Sequence, residues 1–160
     1  MIATVRPFEL PLVSPLGTAR GAIETREGFL FDVFDDPKGL GEATPIHPFT
    51  EDRSECHEVL RRAADAYTDT GWVDAFRAVS ETEDGRLRFP AARHAVSLAR
   101  LDWQARTQYV PLYRLLGGMD GDGTVAVNAT IGDHPAEETA EQAATAEIGR
   151  ASCRERVYCE

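Results

Sequence analysis

The chain is nearly without lysine: of its 17 basic residues Lys38 alone is lysine, and the other 16 are arginine. An acidic, lysine-poor surface suits a high-salt cytoplasm, where excess carboxylate keeps a protein hydrated. GC-rich codon usage gives the same bias, and stability measured against molar salt separates the two readings. Long apolar runs are also missing. None approaches the ~20 residues that span a bilayer, and Met1–Leu12 carries Arg6, Pro7 and Glu9, which is not a signal peptide. Positive charge is scarce against 27 acidic residues, for a net charge of -10. That balance argues against a nucleic-acid surface, which needs clustered cations. The four histidines, His47, His57, His94 and His134, form no close pair of the kind that metals favour. No glycine-rich phosphate cradle, nucleophile elbow or Cys/His arrangement occurs. Of three cysteines, Cys153 and Cys159 fall in the last eight residues, so no disulfide framework is implied. Finally, 160 residues are too few for a whole eight-stranded (β/α) barrel, which takes about 250.

What is present suffices for one domain, or one domain and a piece, with 42% hydrophobic residues to build a core. The first 44 residues read as an antiparallel meander. Phe8, Leu10 and Leu12 alternate with polar or proline positions, Ser14–Gly17 reads as a loop, and Thr18–Arg26 as a second strand. Glu27-Gly28 reads as a tight turn, Phe29–Phe34 as the strongest strand, and Asp35–Gly39 as a turn. Helices follow. Thr50 is the expected N-cap of a helix whose apolar face is Val59, Leu60, Ala63, Ala66 and Tyr67. Gly71 stops it, Trp72–Val79 is a short second helix, and Ser80–Leu87 an exposed loop. Pro90 opens the longest helix, to about Thr107, apolar most of the way round. Pro111–Leu116 ends on Gly117-Gly118. After a linker at Asp120–Gly123, Val125–Ile131 is a β-branched strand and Pro135–Ala146 a helix, the first half of a βαβ unit.

The last stretch breaks the pattern. Ile148–Val157 has neither periodicity nor turn chemistry, and its reverse translation is compatible with read-through of a common sequencing adapter. Residues 147–160 are therefore expected to be an artefact tail, outside fold reasoning. They hold three arginines and three glutamates, so the net charge survives their removal.

Few residues suggest chemistry on their own. His47, in a loop between Pro45 and Pro48, can face a ligand or be an ordinary loop histidine. Asp35, Asp36, Glu51 and Asp52 sit at turn or cap positions and read as structural. Asp102, a carboxylate on an apolar helix, needs a partner such as an arginine or helix-end amide, and reads as structural glue.

Three stretches carry a resemblance. Pro11–Gly21 with Arg26-Glu27-Gly28, Gly39-Leu-Gly-Glu-Ala-Thr-Pro45, and Ala99–Gly118 with Leu101-Asp102-Trp103 are similar, in order and spacing, to the N-terminal part of the enolase superfamily. The branch is that of muconate cycloisomerases, o-succinylbenzoate synthases and dipeptide epimerases. The wording of Glu42–Pro45 and Val127–Asp133 is most similar to archaeal o-succinylbenzoate synthases.

The resemblance implies an α+β fold: a capping domain over 1–118, with a three-stranded antiparallel meander plus helices, then over 119–146 the first β/α unit of a truncated (β/α) barrel. It implies proton abstraction next to a carboxylate, with the enediolate stabilised on Mg²⁺. For a synthase that means a lyase dehydration in menaquinone biosynthesis. The alternatives are a dipeptide epimerase or N-acylamino acid racemase, or a non-catalytic cap-like binding module. The intact enzyme would be cytoplasmic and take a small-molecule carboxylate substrate, with no nucleic-acid partner or membrane span; a homo-oligomer stays open. The family's bases are lysines on later strands, in a Lys-x-Lys pair and singly, and its metal ligands also lie on later strands. Lys38 is not among them. This chain is therefore expected to hold no catalytic residue, to bind no metal and to be inactive alone. The substrate-binding residues implied are Thr18, Arg20, His47 and Phe49 on two cap loops, with Asn128 and Thr130 toward the end of barrel strand 1. Arg20 suits a bidentate pair with a carboxylate, and equally an exposed strand arginine.

Overall fold

The computed structural model describes residues 1–18, 21–118, 131 and 134–145. Three strands, β1 (Ala3–Thr18), β2 (Gly21–Val33) and β3 (Gly39–Ala43), form a sheet in that order. Helices α1 (Arg53–Thr70) and α2 (Trp72–Ala78) follow, then a two-stranded ribbon of β4 (Thr82–Glu83) and β5 (Arg86–Leu87). The helices α3 (Pro90–Thr107), α4 (Leu112–Leu115) and α5 (Ala136–Thr145) complete the order. One compact unit holds the chain up to Pro11 and from Thr25 through α4. The other holds Leu12–Glu24 and, among the described C-terminal residues, α5.

The core of the first unit is built from alternation. In β2, Phe29, Phe31 and Val33 face inward, and antiparallel pairing sets them opposite Ala43, Gly41 and Gly39 of β3. Against this face α1 turns Cys56, Val59, Leu60, Ala63, Ala64 and Tyr67, and α3 turns Ala92, Ala95, Val96 and Ala99. The α3 stripe is mostly alanine because the helix lies very close to the sheet. A Cβ on Gly41 would overlap the Ala95 carbonyl oxygen, and one on Gly39 the Ala99 carbonyl oxygen. Only glycine admits backbone at that distance. Asp102 pins the seam: its Oδ2 accepts the Leu40 N–H at 3.0 Å, and Arg106 Nε donates to the same carboxylate at 3.0 Å. The expected structural role of Asp102 holds.

Several expectations are corrected. Ser14–Gly17 is not a loop but part of β1. Glu27-Gly28 is not a turn, because β2 runs straight through it. Gly28 serves a close approach instead: a Cβ there would lie 2.5 Å from Phe8 Cζ and would also meet the Ala43 carbonyl. The N-cap of α1 is Asp52, not Thr50; its carboxylate accepts the Glu55 N–H at 2.9 Å. Thr50 is unavailable, since its hydroxyl already accepts the Ile46 N–H. Ala66 is half-buried, and Cys56 and Ala64 complete the buried face of α1. The expected loop 80–87 contains the ribbon, whose turn residues Asp84 and Gly85 have φ of 49° and 76°. Paired left-handed residues are what a type I′ two-residue hairpin requires. The linker and strand expected over 120–131 lie outside the described residues, apart from Ile131, and so does the tail.

Candidate functional site

The segment from Thr44 to Thr50 leaves β3 and enters α1, and it carries two of the expected substrate residues. Its shape comes from one threonine and one carbonyl. The Ile46 carbonyl accepts the N–H groups of Phe49 at 2.8 Å and Thr50 at 3.0 Å. Thr50 Oγ1 accepts the Ile46 N–H at 2.7 Å and donates to the Glu51 carbonyl at 3.1 Å. The segment is thus a closed ring, tied to β2 by Arg26, which donates to the Thr44 carbonyl at 3.4 Å. His47 is exposed, and Phe49 is 76% exposed.

Acids surround the exit of the loop. Asp52 is held below the usual carboxylate range chiefly by the Glu55 N–H, then by the Ser54 hydroxyl, with His47 adding least and desolvation opposing. Glu51 is buried and accepts the N–H groups of Ala91 at 3.1 Å and Ala92 at 2.7 Å. Beside it the fully buried Cys56 thiol is pushed far up, first by burial and then by the Glu51 charge and hydrogen bond. Cys56 is therefore a neutral thiol and no nucleophile.

Of the other expected residues, Thr18 is the last residue of β1 and belongs to the second compact unit. Arg20, Asn128 and Thr130 lie outside the described residues. Of the expected residues only His47 and Phe49 therefore share one described loop. Two open grooves flank α1: one of about 290 Å³ lies along its outer face, from Ser54 to Asp65. The other, about 580 Å³, lies between Pro7, Phe29 and the first turn of the helix. Neither is lined by His47 or Phe49. In the second groove His57 stacks on Phe29, ring centroids 4.9 Å apart and 9° from parallel, while Arg53 lies over the same ring. These contacts satisfy the groove's own walls. Sequence reasoning missed Glu51 as anything beyond a cap-position acid, because its partners are 40 and 41 residues away.

Among the described residues no three His, Cys, Asp or Glu side chains group to hold a metal ion. These residues do not fit a Mg²⁺ site, and no step can be routed through the metal on them. No helix among them is long and apolar enough to cross a membrane.

Comparison with known proteins follows the fold. No protein-family model matches the chain. The L-Ala-D/L-Glu epimerase of Bacillus subtilis is 30% identical over 131 residues, which cover 75% of this chain and 35% of that protein. The chain thus spans about a third of the length of that relative. A dipeptide epimerase from Enterococcus faecalis, solved with Mg and the dipeptide L-Leu-L-Tyr, superposes with TM-score 0.74 at 23% identity, over 90% of this chain and 41% of that one. A mandelate racemase/muconate lactonizing enzyme of Roseovarius nubinhibens gives 0.73 at 19% identity, over 96% and 45%. The expected likeness to archaeal o-succinylbenzoate synthases is not what these relatives carry; the two with a stated substrate are dipeptide epimerases. The chain shares the α+β fold of these neighbours: an antiparallel sheet followed by helices.

Proposed function

We propose that this chain is the substrate-closing cap, 1–118, and over 119–146 the beginning of the barrel, of a dipeptide epimerase. The observation that carries this reading is the 30% identity to an L-Ala-D/L-Glu epimerase across 75% of the chain. It favours the epimerase alternative over the lyase reading and its menaquinone synthesis. The exposed pair His47 and Phe49 suits it: an open aromatic ring covers an apolar dipeptide side chain, and an imidazole offers a hydrogen bond. Thr18, Arg20, Asn128 and Thr130 are the further substrate residues this reading expects, with Arg20 on a carboxylate.

Epimerisation removes the proton from one α-carbon and returns it on the opposite face. The bases and the Mg²⁺ that would stabilise the enediolate belong to barrel strands, and this chain contributes enclosure and selection. The intact enzyme would act in the cytoplasm on small peptides.

The test is direct. The reading frame recovered from the source genome across residue 147 is expressed with Mg²⁺ and incubated with L,L-dipeptides in D₂O. The expected result is deuterium at one α-carbon together with inversion. Dehydration of a cyclohexadiene carboxylate without such exchange would support the lyase reading instead. A reading frame that stops near Ala146, in a stable product without turnover, would favour a binding module.

A further inference from the structure

The loop that presents His47 and Phe49 runs directly into the one buried charged side chain among the described residues, Glu51, which is 5% exposed. A buried carboxylate is costly unless its oxygens are bonded. Here each oxygen takes a separate partner: Oε2 accepts from Ala91 N–H at 3.1 Å, and Oε1 from Ala92 N–H at 2.7 Å. Both amides belong to the first turn of α3, whose own N-cap residue, Phe89, supplies no side-chain acceptor. Glu51 thus caps a helix that begins about 40 residues further along the chain, with its charge at the positive end. Two bonds from two oxygens fix the carboxylate in orientation as well as in distance.

Little slack remains between this carboxylate and the exposed rings. Thr50 closes the loop on Ile46 and bonds the Glu51 carbonyl. At the other end of the span, α3 is itself registered on β3 by the contacts at Gly39 and Gly41. We propose that Glu51 is a positioning residue, which sets the Ile46–Thr50 loop, and with it the rings of His47 and Phe49, against the N-terminus of α3. The loop is then a preformed part of the cap, and its geometry answers to the α3–β3 seam. The consequence for substrate choice rests on the dipeptide reading above; the anchoring itself does not.

Amide hydrogen exchange and ring resonances of the ¹⁵N-labelled chain, read by NMR, test it. In Glu51→Ala, exchange at Ala91 and Ala92 should accelerate roughly 10- to 100-fold, the weight of hydrogen bonds to a charged group. Exchange at Phe49 and Thr50 should rise with it, and the His47 and Phe49 ring resonances should move. Glu51→Gln, which keeps a side-chain carbonyl as acceptor, should return the rings most of the way. Val96→Ala, a destabilising change on the buried face of α3, should leave the rings where they are. Unmoved rings and unchanged Phe49 and Thr50 exchange in Glu51→Ala, with Ala91 and Ala92 loosened, would reduce Glu51 to a cap and overturn the proposal. If Glu51→Ala does not fold, Glu51→Gln decides: a common acceleration factor at the four amides supports the coupling, and unrelated factors overturn it. No substrate enters these measurements, so their failure leaves the epimerase reading standing, and failure of deuterium exchange leaves the anchoring standing.

Discussion

The seam between β3 and α3 and the ribbon between α2 and α3 are held by opposite means. In the seam, glycine and alanine bring backbone against backbone, and no side chain can yield. The ribbon has four exposed strand residues, a left-handed turn and a set of surface ion pairs: Arg88 with Glu55 and Glu81, and Arg62 with Glu81, at 3.6 to 3.7 Å. Stability therefore sits where packing is tight. The visibly charged region contributes little, because exposed pairs are screened and lose side-chain entropy.

The largest effect should come from Gly41→Ala, which drives a methyl into the Ala95 carbonyl. A loss of about 3 kcal/mol or more is expected, read as the urea midpoint or as failure to fold. Next is Gly85→Ala in the ribbon turn. Its Cβ meets open space, and only φ of 76° is unfavourable, so about 1 kcal/mol is expected. Equal losses at the two glycines would break the contrast.

Titration sharpens it further. The Tyr67 hydroxyl donates to Asp35 Oδ2 at 3.4 Å, and burial first, then the Asp35 charge, pushes its pKa up to about 12. A raised pKa means the folded state holds its proton longer. The stability it brings is complete below pH about 10, the ordinary tyrosine value, and is lost as pH climbs toward 12. Tyr67→Phe should flatten that alkaline limb. At Asp52 the sign reverses: its lowered value gives stability above the ordinary range near pH 4, lost as the pH falls through the folded value. Asp52→Asn should flatten the acid limb of a thermal melt series. The smallest effect belongs to Arg88→Ala, within about 0.5 to 1 kcal/mol and shrinking in salt. A larger, salt-insensitive loss would mean that the ribbon is a structural member after all.

What was legible in the sequence follows the same division. The apolar run Phe29–Val33 and the proline start of α3 are local patterns, and both form as the residues dictate, whereas β3 begins at Gly39, which reads as the end of a turn. Asp84-Gly85 is a local hairpin signal, but strands of two residues leave no alternation to flank it. Gly28 misled because a glycine can mark a turn or a close approach, and only the Phe8 ring decides which. Of the site, His47 was readable as a loop residue between Pro45 and Pro48, and Phe49 only through the family resemblance. Glu51 was not, since its meaning lies in amides brought to it by the packing of α3.

The most direct measurement is made on a chimera. Residues 1–118 of this chain replace the matching N-terminal segment of the Bacillus subtilis L-Ala-D/L-Glu epimerase. A folded chimera is expected to epimerise dipeptides with a changed side-chain preference, and exchanging 46–49 alone should carry much of that change. A folded chimera that keeps the donor's preference unchanged, or shows no α-proton exchange with any dipeptide, would contradict the proposal that this chain is an epimerase cap.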